Sequence, residues 1–513
     1  MTSSARNHLF AEIRARMPAP DAPFAYLPDG RLYRYADVEA VSARFAAALV
    51  ALGVKPGDRV AVQVEKSIEA LMLYLGAVRA GAVFLPLNTA YTPAEIAYFL
   101  GDAEPAVFVC DPGRAEALAP VAREAGARLE TLGAPASPDG AAGTLSDRAL
   151  AASPDFADVA RAPDDLAAIL YTSGTTGRSK GAMLTHENLA SNARVLVETW
   201  RFTKADVLIH ALPIFHTHGL FVATNVILFS GAAMILQPKF DADAVIAALP
   251  AATCLMGVPT FYVRLLDHPG LDAKATAHMR LFISGSAPLL AETHRAFRAR
   301  TGHAILERYG MTETNMNTSN PYDGERIAGT VGFPLPGTAL RVTEPETGSP
   351  LAPEEIGMIE VRGPNVFKGY WRNPEKTAAE FRADGFFITG DLGKIDARGY
   401  VHIVGRGKDL IITGGYNVYP KEIEGEIDAL PGIGESAVIG LPHKDFGEGV
   451  TAVVVPAKGA SPSEAAILAA LEARLAKFKL PKRVILVPEL PRNSMGKVQK
   501  NVLRETYKDL YAR

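Results

Sequence analysis

The sequence predicts an α/β protein: a large N-terminal body of stacked α/β sheets, a β-barrel-like subdomain, and a small mobile C-terminal α+β domain. Three observations predict it. Strand-like apolar runs alternate with helical ones through the first half of the chain, the pattern of β-α-β units in largely parallel sheets. From about residue 329 Gly and Pro become frequent and short β runs dominate. After residue 405 the texture changes again, and the remaining stretch is long enough for a small core of its own.

In order along the chain, residues 59–64 (RVAVQV) read as a strand, 68–79 carry helical spacing, and 83–86 form a short strand ended by proline. Residues 107–110 and 168–171 repeat the strand pattern, and the Ala/Gly/Pro-rich stretch 133–143 reads as a linker. No Asp, Glu, Lys or Arg occurs from 207 to 238. A spanning helix needs about 20 apolar residues. Here Pro213, His216, His218, Asn225 and Gly231 interrupt the run, so we expect a buried helix over 219–230 and a buried strand over 232–236. Short β runs follow at 339–342, 358–362, 385–388 and 400–404, placing the β-rich subdomain at about 329–405. The body is then 1–405 and the cap 406–513, with strands at 409–413, 437–440 and 451–455 and a helix over 420–427. A further helix opens at Ser461-Pro-Ser-Glu464, a capping box with proline at its first position, and sets Leu468, Leu471, Leu475 and Phe478 on one face.

Composition narrows the function. The 513 residues are 48% hydrophobic and 21% charged with a net charge of −3, which excludes a disordered chain and gives no basic surplus for nucleic acid. Two cysteines, Cys110 and Cys254, support neither a disulfide framework nor a thiolate zinc site. The N-terminus lacks a secretory apolar core, so a cytoplasmic protein without membrane contact is expected.

The strongest chemical signal is Tyr171-Thr-Ser-Gly-Thr-Thr-Gly-Arg-Ser-Lys-Gly181. Thr172, Ser173, Gly174, Thr175, Thr176 and Gly177 follow a buried strand, and Lys180 is the lysine that closes the run. Glycines let backbone N–H groups turn toward one point, hydroxyls add donors and the lysine adds charge: a polyphosphate cradle. No Gly-x-x-x-x-Gly-Lys occurs in the chain, so it is not a Walker A loop.

This segment resembles the phosphate loop of the acyl-adenylate-forming enzymes, and other segments match that family in order. Arg308-Tyr-Gly-Met-Thr-Glu-Thr314 is similar to its adenine and magnesium motif and Thr389-Gly-Asp391 to its ribose motif. Gly405-Arg-Gly-Lys-Asp409 is similar to its hinge and Pro491-Arg-Asn-Ser-Met-Gly-Lys497 to its C-terminal lysine motif. The resemblance implies ATP and coenzyme A as co-substrates and Mg²⁺ on Glu313. It implies Thr312 on the α-phosphate, Tyr309 against adenine, Asp391 on the ribose with Arg406 beside it, and Lys497 between carboxylate and α-phosphate. It further implies rotation of the small domain about Lys408, which exchanges the lysine loop for Gly414 and Gly415 lining a coenzyme A channel, and a protein acetyltransferase and deacetylase acting on Lys497.

The acid is set elsewhere. Arg264 lies in Cys254-Leu-Met-Gly-Val-Pro-Thr-Phe-Tyr-Val-Arg-Leu-Leu266, where a cation among so many apolar residues is costly unless it meets an anion, pairs with Asp267 or reaches solvent. The segment resembles that of the malonate-activating branch of the family, whose arginine meets the second carboxylate. That implies malonate as substrate, with Gly285, Ser286, Met311 and His216 around it, and leaves methylmalonate or another short or medium-chain acid as alternatives. A catalytically silent nucleotide-binding protein is the alternative of another class. His216 and His218 would share one face of a strand, but no third ligand is nearby and no zinc is expected; by resemblance His216 lies at the acyl/coenzyme A junction and His218 is structural.

Overall fold

The computed structural model describes residues 6–133, 143–172, 179–413, 416–472, 474–493 and 496–511. Two α/β sheets make the body. One runs Arg128–Thr131, Val107–Cys110, Arg59–Gln63, Val83–Pro86, Leu166–Thr172, Lys180–Thr185 in spatial order, parallel except for its last pair. The other is nine-stranded and parallel from Leu306–Met311 through Leu281–Ser284, Cys254–Gly257, Val207–His210 and Ala233–Leu236 to Pro23–Tyr26, with antiparallel strands at both edges. Parallel neighbours need helical crossovers, which is what the β-α alternation in the sequence supplies.

Helix Ile68–Arg79 is buried at every position except Glu69, and an all-round apolar helix belongs in a core. It packs between the sheets with Tyr35–Ala51. Its last residue, Arg79, is buried too, and is held by Asp158 at 2.6 Å and Glu39 at 2.9 Å. The uncharged stretch also enters this core. It begins as a π-helix, His218–Thr224, and continues as α-helix Asn225–Ser230 before strand Ala233–Leu236. Among the described residues no helix is long and apolar enough to cross a membrane.

The β-rich region is an open antiparallel meander, Ala339–Thr343, Gly357–Arg362, Phe387–Ile395 and Val401–Arg406, packed on the body rather than closed on itself as the barrel-like reading suggested. Its last strand includes Arg406, and a 3₁₀ turn, Gly407–Asp409, follows. Beyond it the cap folds around a hairpin, Ile433–His443 with Gly447–Pro456, backed by helices Pro420–Asp428 and Glu464–Glu472. The capping assignment shifts: Ser463, not Ser461, accepts the Ala466 N–H at 3.2 Å, and Pro462 lies outside the helix. Leu475 and Phe478 also lie beyond it, yet both pack on the same cap core as Leu468 and Leu471.

Candidate functional site

Strand Leu166–Thr172 delivers Thr172, partly buried, to the edge of the site; Ser173, Gly174, Thr175, Thr176 and Gly177 lie outside the described residues. The chain returns at Lys180, the first residue of strand Lys180–Thr185. Its ammonium sits 3.7 Å from Glu380 and 5.0 Å above the ring of Tyr370. The Tyr370 hydroxyl in turn lies 3.1 Å from Glu313 Oε1. Glu313 is 6% exposed, and burial raises its pKa. Met311 and Thr312, partly buried, lead into the same turn.

A second group forms where the meander meets the body. Asp391, 3% exposed, accepts a hydrogen bond from the Tyr309 hydroxyl at 2.5 Å and pairs with Arg406 Nε at 2.8 Å. The Thr389 hydroxyl accepts from the Asp391 N–H at 3.0 Å, fixing the turn that presents the carboxylate. Tyr309, Asp391 and Arg406 therefore come together as the motifs implied.

The cap brings Lys497 to this side of the body. Its loop is closed by paired contacts between Asn493 and Lys497, with the Lys497 N–H on the Asn493 side-chain oxygen at 2.9 Å. Gly496 has φ +75°, and a Cβ there would lie 3.3 Å from the Thr260 side chain, so the loop rests on helix Pro259–Asp267. The Lys497 stem is open to solvent, but crowding of its ammonium in the interdomain cleft, and then Arg406, push its pKa down to about 8. Lys408 is exposed on the 3₁₀ turn; burial of its ammonium lowers its pKa, and the next residue, Asp409, pairs with Arg504 of the C-terminal helix. Gly414 and Gly415 lie outside the described residues.

Burial falls on a different arginine from the one the sequence singled out. Arg264 is not a buried cation: helix Pro259–Asp267 turns Val263, Arg264 and Asp267 outward, and Arg264 has no ion pair or hydrogen bond among the described residues. The buried, unpaired guanidinium is Arg308. It is 4% exposed, its Nε and one terminal nitrogen have no partner among the described residues, and burial pushes its pKa down to about 9. The preceding Glu307 does not neutralise it, because strand neighbours point to opposite faces; Glu307 instead accepts from the Gly329 N–H. Arg308 lies against Gly285, next to Ser284, whose buried hydroxyl also lacks a partner among the described residues. Ser286 follows with φ +72°, a conformation that costs a non-glycine residue energy and marks functional turns.

The two histidines do not share a strand face. Residues 211–216 are irregular, Thr217 is already helical, and His218 opens the π-helix, a form enriched at functional sites. His216 takes the His218 N–H at 3.2 Å, and burial, with Arg308 and Lys497 close by, holds its pKa down at about 4. The Nδ1 of His218 lies 3.2 Å from the Ser286 hydroxyl. Among the described residues the one group spaced to hold a metal, His8, Glu12 and Glu187, is already occupied by Arg194, which pairs with both carboxylates. Sequence reasoning missed Arg308, Tyr370 and Glu380. The first had a weak signal, a cation in a strand that would be buried, masked by the carboxylate of Glu307 beside it; the other two meet the site only through tertiary pairing.

A lysine at the end of a sheet strand, a buried carboxylate, a tyrosine–aspartate–arginine group and a lysine carried by a small second domain are the arrangement of an adenylate-forming enzyme. The chain belongs to the AMP-binding enzyme family: that family's pattern matches residues 12–371, and its C-terminal domain pattern matches residues 422–497. Among solved structures, ATP-bound MatB from Rhodopseudomonas palustris is 65% identical, covers 99% of this chain and 100% of its own, and superposes with a TM-score of 0.96; the apo form of that protein gives 0.85. Curated relatives include a feruloyl-CoA synthase of an Amycolatopsis species, 39% identical over 96% of this chain and 97% of that protein. A malonate–CoA ligase of Arabidopsis thaliana is 35% identical over 88% of this chain and 79% of that protein.

Proposed function

We propose that the protein is an AMP-forming acyl-CoA ligase that joins malonate to coenzyme A through malonyl-AMP. One carboxylate oxygen of malonate attacks the α-phosphorus of ATP, the bond to the bridging oxygen breaks, and pyrophosphate leaves with the electron pair. The coenzyme A sulfur, as thiolate, then attacks the acyl carbon, and AMP leaves.

The first step must bring two anions together. Lys497 supplies a cation between carboxylate and α-phosphate oxygens, where a fixed charge is worth several kcal/mol. Thr312 donates to the α-phosphate, Tyr309 lies along adenine, and Asp391 with Arg406 takes the ribose. Glu313, a buried carboxylate joined through the Tyr370 hydroxyl to the surroundings of Lys180, fits Mg²⁺, which takes few protein carboxylates and completes its shell with phosphates and water. Bound there, the ion would neutralise phosphate charge that otherwise repels the substrate. For the second step the cap turns about Lys408, withdrawing Lys497 and presenting Gly414 and Gly415. Acetylation of Lys497 by a protein acetyltransferase would remove its charge and stop the first step while sparing the second.

The observation that carries malonate is Arg308. A buried guanidinium with open donors is expensive unless an anion meets it. Gly285, between Ser284 and Ser286, packs against that guanidinium, His216 is close enough to feel its charge, and Arg264 lies one helical turn from Thr260, against which the Lys497 loop rests. The second carboxylate of a dicarboxylic acid satisfies this site; a hydrocarbon chain or an aromatic ring does not. Methylmalonate differs by one methyl, about 1–3 kcal/mol of discrimination. Pyrophosphate release measured across acetate, malonate, methylmalonate, succinate and octanoate tests the assignment. Malonate is expected to give the highest kcat/KM, with methylmalonate next; acetate or octanoate at the malonate rate would overturn it.

A further inference from the structure

Residues 367–371 join two parts of the nucleotide site that are far apart in sequence. The segment zips onto the strand carrying Lys180: the Trp371 N–H donates to the Gly181 carbonyl at 2.8 Å, Met183 to Gly369 at 3.0 Å, and Lys368 to Met183 at 2.9 Å. At its other end the Phe367 N–H donates to the Glu313 carbonyl at 2.7 Å. Tyr370 is thereby fixed between Lys180 and Glu313. Its hydroxyl has one proton to give, yet lies 2.6 Å from Glu380 Oε2 and 3.1 Å from Glu313 Oε1, so it ties two carboxylates together. The other oxygen of Glu380 faces two cations, Lys180 at 3.7 Å and Lys376 at 2.6 Å.

We propose that Glu380 is a positioning residue that competes with the phosphates for Lys180 and takes the ammonium back as pyrophosphate leaves; this rests on the reading that Lys180 faces the triphosphate. The ammonium is mostly shielded from water and needs a counter-charge, which Glu380 provides whenever no phosphate faces it. ATP carries more negative charge and wins the lysine. After the α-phosphate bond breaks, pyrophosphate would hold Lys180 tightly, and the waiting carboxylate weakens that grip. Lys376 draws on the same Glu380 oxygen, so it limits how strongly Glu380 holds Lys180.

The two neighbours of that carboxylate give tests of opposite sign. Calorimetric titration with magnesium pyrophosphate is expected to show about five-fold tighter binding to Glu380→Gln, the scale of a partly exposed ion pair. ATP KM should fall in parallel while malonate KM holds. Lys376→Ala is expected to bind pyrophosphate about two-fold more weakly, because Glu380 is then left to Lys180 alone. This second variant alters a helix end open to solvent, and it carries the test alone should Glu380→Gln not fold. Unchanged pyrophosphate affinity in either folded variant, or a shift of the opposite sign, would overturn the proposal alone. Failure of the wild-type protein to bind ATP or pyrophosphate would overturn the functional reading and the proposal with it.

Discussion

Arg308 packs its guanidinium so closely on Gly285 that a Cβ at residue 285 would stand 2.4 Å from Arg308 Cζ. The absent side chain is what lets a charged group lie flat beside Ser284 and Ser286. Gly285→Ala must push the guanidinium aside, and a displacement of about 1 Å at a reacting site can cost on the order of 100-fold. We expect that loss in kcat/KM for malonate, with ATP affinity measured by titration unchanged. An equal loss of ATP affinity would mean that the whole strand end had collapsed.

Arg308 and Arg264 should differ in weight. Removing one partner of a buried charge pair costs about 3–5 kcal/mol, whereas exposed pairs contribute about 0–1 kcal/mol. Arg308→Ala is therefore expected to lose more than about 100-fold in kcat/KM for malonate and Arg264→Ala less than about 10-fold. The reverse ranking would return the acid-binding role to the exposed helix.

Much of this could be read from the residues in order. Helix Ile68–Arg79 was legible because burial on all sides leaves an apolar run with no polar face. The nucleotide motifs were legible because each is a contiguous segment of distinctive residues. Arg264 is exposed for a physical reason: apolar neighbours in sequence do not bury a side chain when the helix turns it outward by its 3.6-residue period. The same alternation hid Arg308, since Glu307 beside it looks like a ready partner yet points to the opposite face. Tyr370 and Glu380 were beyond reach. Nothing in the sequence around 370 announces that it will pair with the strand beginning at Lys180.

The turn at Lys408 gives a separate test of the second step. Proline fixes φ near −65°, the value of the 3₁₀ turn Gly407–Asp409. Lys408→Pro should therefore keep this domain arrangement and resist the other. Pyrophosphate release in a single turnover is expected to survive. Thioester formation from supplied malonyl-AMP should fall by on the order of 100-fold, because the coenzyme A arrangement is no longer reached. Loss of both half-reactions would place the pivot elsewhere.

The alkaline side of the pH profile should belong to Lys497. Its pKa lies at about 8, lowered from the usual lysine value by burial of the ammonium and then by Arg406. The first step needs the charged form, which predominates below that value and is lost above it. The kcat/KM of pyrophosphate release, which reports the free enzyme, is thus expected to be flat toward neutral pH and to fall as pH rises through about 8. His216, held near 4, is neutral throughout that range and adds no limb there. Lys497→Arg keeps a cation whose pKa is far higher, at the cost of a planar fork in place of a compact ammonium. Its rate should be lower at pH 7 but free of the alkaline fall. Lys497→Ala should lose pyrophosphate release and still make malonyl-CoA from supplied malonyl-AMP. An alkaline limb that persists unchanged in Lys497→Arg would assign the titration to another group and remove Lys497 from the charge balance of the first step.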